Sequence, residues 1–116
     1  MRTHKDLDVW KKSVGLVMDI YRVTRDFPRE EQFGLCNQMR RAAVSVPSNI
    51  AEGAARSHKK EVTQFLYVSL GSIAELETQV LISKNLNYLN QDQFDILNTK
   101  LTEIRNMLTG LIKSLR

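Results

Sequence analysis

Catalytic chemistry has few residues to work with in this chain. It holds two histidines, His4 and His58, and one cysteine, Cys36. Neither histidine stands at helical spacing from a second metal ligand. An HExxH helix, a Gly-rich phosphate loop and a GxSxG nucleophile turn are all absent from the sequence. Some helical-bundle ribonucleases place a histidine a short way after an arginine, but His58 follows Arg56 too closely for that. Cys36 falls on an apolar stripe and reads as a packed thiol rather than a nucleophile. Glu52, Glu75 and Glu77 raise the question of a carboxylate-bound metal. Di-metal bundles use Glu-x-x-His pairs on two helices, and none exists here, so ion pairing or solvent exposure is the better reading. No catalytic residue, metal or cofactor is expected, and the chain reads as a non-enzyme.

The basic residues offer more. Arg40 and Arg41 are adjacent, Arg56, Lys59 and Lys60 cluster with His58, and Arg22 and Arg25 gather with Arg29. Two readings stand side by side. The plain one is a solvated charged surface, in which Arg41 could equally pair with Glu52 or Glu75. The functional one is contact with the phosphates of a nucleic acid. Tyr67 and Tyr88 could stack on bases, but periodicity explains both as packing residues, and no base-reading motif is present. Charge is unevenly spread. Residues 1–60 carry 12 Lys+Arg against 7 Asp+Glu, whereas residues 61–116 carry 5 against 6. The whole chain has a net charge of +4 and a pI near 9.4, which points weakly to a polyanionic partner.

Four helical stripes must position these groups. The first is Leu7, Trp10, Val14, Val17 and Tyr21, whose seven-residue repeat keeps a narrow apolar face. It stops at the polar Thr24, and a neighbouring row of Leu16, Ile20, Val23 and Phe27 carries on until Phe27-Pro28 ends the segment. The second is Leu35, Met39, Ala42, Val46, Asn49 and Gly53, widened by Cys36, Ala43 and Ile50. Pro47 lies inside it and removes a hydrogen bond to Ala43. The stripe keeps phase across the proline, which predicts one kinked helix. The alternative is a stop and a restart, with Asn49 and Glu52 closing a capping box. Asn49 at a seam position needs hydrogen-bond partners, and the carbonyls freed by Pro47 are natural ones. Pro47, Asn49, Glu52 and Gly53 are therefore read as a structural constellation.

The third segment opens after Ser57 as N-cap, along Val62, Leu66, Ser69, Ile73, Leu76, Val80 and Ser83. A parallel stripe of Tyr67, Leu70, Ala74, Leu81 and Tyr88 makes its apolar face wider than one seam requires, which marks those residues as candidate oligomer contacts. The fourth stripe is the cleanest: Phe94, Leu97, Leu101, Ile104, Leu108, Leu111 and Leu115, opened by a capping box from Asn90 to Gln93. No segment alternates with period two. Short connections make neighbours antiparallel, so the expected fold is all-α, an antiparallel up-down-up-down four-helix bundle with a Pro-kinked second helix.

Length and composition agree with one domain over residues 1–116. Area scaling gives a folded surface of roughly 6,500 Å² against about 19,400 Å² unfolded, enough burial for a core without staples. With 5 Gly and 2 Pro, collagen-like, low-complexity and turn-rich all-β architectures are unlikely matches. A single cysteine excludes an internal disulfide. Apolar runs are only a few residues long, so no membrane span is expected, and the start lacks a signal-like apolar stretch, which leaves the cytoplasm as the expected compartment.

The stretch RRAAVSVPSNIAEGAAR, Arg40 to Arg56, resembles the signature of the four-helix bundle family encoded by intervening sequences in bacterial 23S ribosomal RNA genes. Leu7-Asp8-Val9-Trp10, Phe27-Pro28 with Glu31, and Gly34-Leu35 with Gln38 are similar to the family's first half. Phe65-Leu66 and Gly71 to Gln79 are similar to its third helix. Val46 stands where the family often has Ile. The resemblance implies an up-down bundle, a homopentamer around a central channel, and an association with RNA. It also implies an alternative, since a related accessory protein of diversity-generating retroelements uses a similar pentamer to bind a reverse transcriptase and nucleic acid. A pentamer would bury the second stripe of the third helix and multiply the +4 charge of each copy. Two functions therefore stand: a nucleic-acid-binding oligomer, or a protein-interaction scaffold whose polar signature is structural.

Overall fold

Asn90 and Gln93 form the capping box that their spacing predicts. The Asn90 side-chain oxygen accepts from the Gln93 amide at 2.8 Å, and Gln93 Oε1 accepts from the Asn90 amide at 3.0 Å. They open α4, Gln91–Ser114, the last of four helices in the computed structural model, which describes residues 3–116. The first two residues of the expected domain lie outside the described residues. The other helices are α1 (Asp8–Thr24), α2 (Leu35–Ala54) and α3 (Lys59–Asn85), with 3-10 turns at His4–Asp6 and Arg29–Glu31. No strand occurs among the described residues.

Each helix packs on two others in a closed ring: α1 on α2 and α4, α3 on α2 and α4. The result is a four-helix bundle measuring 44 × 24 × 19 Å, with an exposed surface of 7050 Å². Contacts run in opposite order along neighbours. Met39 meets Ser83, Ser45 meets Ser72, and Gly53 meets Val62 and Phe65. Lys12 reaches Glu103 while Asp19 reaches Lys100.

The core is built from the expected rows on α2, α3 and α4, but α1 is turned relative to its narrow stripe. Val9, Ser13, Leu16, Ile20 and Thr24 are its buried residues, whereas Leu7, Trp10 and Val17 are partly buried and Tyr21 is 39% exposed. The reason is that Ser13 and Thr24 hide their own polarity. Each hydroxyl donates to a carbonyl one turn back, Ser13 to Val9 and Thr24 to Ile20, both at 2.6 Å.

Helix α2 runs unbroken through the buried Pro47, so the stop-and-restart alternative is not adopted. Asn49 is inside the helix and not an N-cap. Its Nδ2 donates to the Ser45 carbonyl at 2.8 Å and to Ser45 Oγ at 3.0 Å, rather than to the Ala43 carbonyl that the proline leaves without its amide. Ser72 donates to Ser45 Oγ at 2.9 Å and Ser69 donates to the Val46 carbonyl at 2.8 Å, so two serines of α3 stitch it to α2.

The N-cap of α3 is His58, one residue later than the sequence expectation of Ser57, and it makes no side-chain cap bond. At the other end Asn87 takes the left-handed conformation with φ 65°. The Tyr88 amide bonds to the Ser83 carbonyl and the Asn87 amide to the Lys84 carbonyl, both within 2.9 Å, which is a Schellman closure. By length and composition α3 would pass for a membrane span, with a mean hydropathy of 1.3 over its most apolar window, which narrows the expectation that no segment could. Its buried Ser69, Ser72, Gln79 and Ser83 face a bundle core instead.

Candidate nucleic-acid interface

The end of α1 and the start of α2 bring three arginines to one depression. Arg40, on the second turn of α2, donates from Nε to Thr24 Oγ1 at 2.9 Å and from Nη2 to the Tyr21 carbonyl at 3.4 Å. Its guanidinium lies 4.6 Å from the centre of the Tyr21 ring, so packing and hydrogen bonds hold it in place. Thr24 passes its own proton to Ile20, which leaves its oxygen free to accept. A pocket of about 330 Å³ opens beside it, lined by Thr24, Arg25, Phe27, Pro28, Arg29, Gln32, Cys36 and Arg40. A second depression, of about 550 Å³, shares Arg40 and adds Arg41 with Tyr21, Asn37, Val44 and Ser45. No carboxylate lines either one. Cys36 is buried, its Sγ 3.5 Å from the Thr24 carbonyl, and burial pushes its pKa up despite the pull of Arg40. The thiol thus stays protonated near neutral pH, as a packed group should.

The other basic cluster stands at the opposite end. Arg56 follows the end of α2, which lies about 21 Å beyond Arg40 at the helical rise per residue. It pairs with Glu52 at 3.1 Å, with both side chains substantially exposed, and its guanidinium sits 4.9 Å from the Phe65 ring. Lys59 and Lys60 form the exposed first turn of α3. The positive end of the helix dipole disfavours cations there, so local helix energetics do not account for them. The sequence set Arg40 and Arg41 apart as a pair on α2; the fold places Arg40 with Arg25 and Arg29 in one depression and with Arg41 in the next.

Arg22 goes elsewhere. It bonds Asp19 at 3.0 Å, and Asp19 also takes Lys100 at 2.6 Å, on the side of α1 that faces α4. Arg41 is exposed and, among the described residues, pairs with neither Glu52 nor Glu75. Glu77 is held by Arg105 at 2.6 Å, and no three His, Cys, Asp or Glu among the described residues could hold a metal.

The signature residues have structural work. Asn49 ties to Ser45, Glu52 to Arg56, and Gly53 admits α3 at close range. Of the candidate oligomer contacts, Tyr67, Ala74 and Leu81 are exposed, whereas Leu70 packs against the core. Tyr88 lies past the end of α3, where the Asn87 turn breaks the helical phase. It packs on Phe27 with ring centres 5.2 Å apart and donates to Glu31 Oε2 at 2.9 Å, so it is no member of an outward stripe. Val68, Ile82 and Leu86 extend the exposed apolar face that Tyr67 and Leu81 begin.

Sequence reasoning passed over Phe33. It is 89% exposed, directly after the pocket residue Gln32. It belongs to no stripe, so nothing in the helical spacing singled it out.

Comparison with known proteins follows from this geometry. A crystal structure of a protein of unknown function from the S23 ribosomal protein family of Bacteroides thetaiotaomicron VPI-5482 superposes with a TM-score of 0.82. It is 23% identical and covers 90% of this chain and 98% of its own, a likeness of fold. Among curated proteins no match is found. The family model for the 23S rRNA-intervening sequence protein matches residues 5–110. With that match spanning nearly its whole length, the chain belongs to the 23S rRNA-intervening sequence protein family.

Proposed function

We propose that this bundle is a non-catalytic, cytoplasmic nucleic-acid-binding protein, with RNA as its polymer, that contacts phosphates through arginine and lysine side chains. The observation that carries this reading is the pair of carboxylate-free basic depressions that share Arg40 and include Arg25, Arg29 and Arg41. Exposed Lys59 and Lys60, with Arg56 beside them, supply a second contact zone. Arg22, bonded to Asp19 on the α4 side of α1 and lining neither depression, contributes least. Self-association belongs to the same reading. Tyr67, Val68, Leu81 and Ile82 are each more than 40% exposed on α3, an apolar strip that copies of the chain would cover, and the pentamer implied by the family resemblance would set the basic zones around one axis.

The test is binding of the purified protein to single-stranded RNA across a salt series, read by fluorescence anisotropy. Affinity should fall steeply as salt rises, because each neutralised phosphate releases counterions. Absence of binding at low salt overturns the reading.

A second reading is favoured by the signature itself. Pro47 is buried inside α2, Asn49 bonds to Ser45 of the same helix, Glu52 pairs with Arg56 and Gly53 admits α3, so these residues of the most recognisable motif are engaged within the molecule, which supports an architectural role. A scaffold for a protein partner, such as a reverse transcriptase, would use the same bundle. Capture of such a partner that survives nuclease treatment would favour it.

A further inference from the structure

The pocket between the end of α1 and the start of α2 differs from a general basic surface in shape and charge. This step rests on the nucleic-acid reading above. We infer that the pocket receives a terminal phosphate of a nucleic-acid strand, a phosphomonoester dianion held by Arg25, Arg29 and Arg40, rather than an internal phosphodiester.

Shape is the first argument. The floor is formed by Thr24, Phe27 and Cys36, which are 3%, 7% and 4% exposed. A strand cannot pass through such a floor. An internal phosphodiester needs room for chain on both sides, whereas a terminal phosphate leaves by one ester oxygen and can enter end-on. Charge is the second. Three guanidiniums line the pocket without a carboxylate among them. A phosphodiester offers one negative charge, and a monoester offers nearly two at neutral pH with three acceptor oxygens. Of the neighbouring acids, Asp26 lines the depression on the α4 side, and Glu31 keeps its charge but turns its oxygens to the Tyr88 hydroxyl at 2.9 Å and the Leu35 amide at 3.4 Å, so neither lines the pocket.

Preorganisation is the third argument. Two of the five Arg40 N–H donors are used on Thr24 and Tyr21, which fixes the guanidinium plane and leaves three for a ligand. The pocket also sits at the N-terminal end of α2, where the helix dipole favours negative charge. Phe33, one residue past Gln32 and 89% exposed, is a candidate to stack on the base that follows the phosphate.

The experiment compares one short single-stranded RNA in three forms: 5′-phosphorylated, 3′-phosphorylated, and hydroxyl at both ends. A phosphorylated form should bind about tenfold more tightly than the hydroxyl form, the value of a charge-assisted contact set. In the Arg29→Gln variant, whose side chain is exposed, that ratio should shrink toward one. A general loss of surface charge would lower all affinities together and leave the ratio intact. Equal binding of all three forms overturns the inference while the nucleic-acid reading stands. Binding of none overturns both.

Discussion

A methyl group on Gly53 would sit 3.0 Å from the Phe65 Cβ and 3.2 Å from the Val62 carbonyl oxygen. Neither atom is the far end of a flexible side chain, so α2 and α3 would have to separate. The Gly53→Ala variant should lose about 1–2 kcal/mol of stability, overpacking outweighing the gain in helix propensity. Thermal denaturation checks this, and an unchanged or raised Tm would show that the helices part without cost.

Tyr88 joins the α3–α4 turn to the 3-10 turn before α2 through Glu31. The hydrogen bond to that carboxylate, then burial, holds the Tyr88 pKa above the ordinary tyrosine value. The neutral phenol is thus the form the fold favours. Its stabilisation is complete below the unfolded tyrosine pKa of about 10 and is lost as pH rises through the higher folded value. Tyr88→Phe should therefore lower the Tm near neutral pH and reduce its fall in alkaline solution. A variant whose alkaline decline matches the wild type would remove Tyr88 from that role.

Phe33 should matter to binding and not to folding. Its ring is almost wholly in solvent, so Phe33→Ala should leave the Tm unchanged. Loss of a stacking platform should weaken single-stranded RNA binding by about 1–3 kcal/mol. Unaltered affinity in anisotropy measurements would rule out stacking there.

Salt dependence can separate the two basic zones from Arg22. Arg41→Ala and Lys60→Ala each remove an exposed cation that has no ion pair among the described residues. Each should reduce the slope of log affinity against log salt by about 0.7, one single-strand phosphate contact. Arg22→Ala should change the slope far less, since that guanidinium is bonded to Asp19 on the α4 side of α1 and lines neither depression. If Arg22→Ala lowers the slope as much as the other two, binding follows net charge rather than these zones.

The bundle was largely legible because its rows bury leucine, isoleucine and valine at helical spacing, as in Leu97, Leu101, Ile104 and Leu108. Rotation of α1 was legible only in part: the neighbouring row of Leu16, Ile20 and Phe27 is buried, but hydropathy counts Ser13 and Thr24 as surface residues when their hydroxyls are satisfied one turn back. Tyr88 was misplaced because a helical count cannot foresee the left-handed Asn87 that ends α3. The candidate site was readable only as a set of cations. Which of them share a surface depends on how α1 lies against α2, and Arg40 reaching Thr24 across sixteen positions has no local signature.

The separation of Arg40 from Arg56 gives the bundle a built-in measure of length. Arg40 faces α1 over Tyr21 and Arg56 faces α3 over Phe65, so the two zones look in different directions. Under the RNA reading, short fragments would occupy one zone or the other and behave as two independent weak ligands. Only a strand long enough to pass round α2 would gain both zones at once, so avidity should then appear as a step in affinity with strand length.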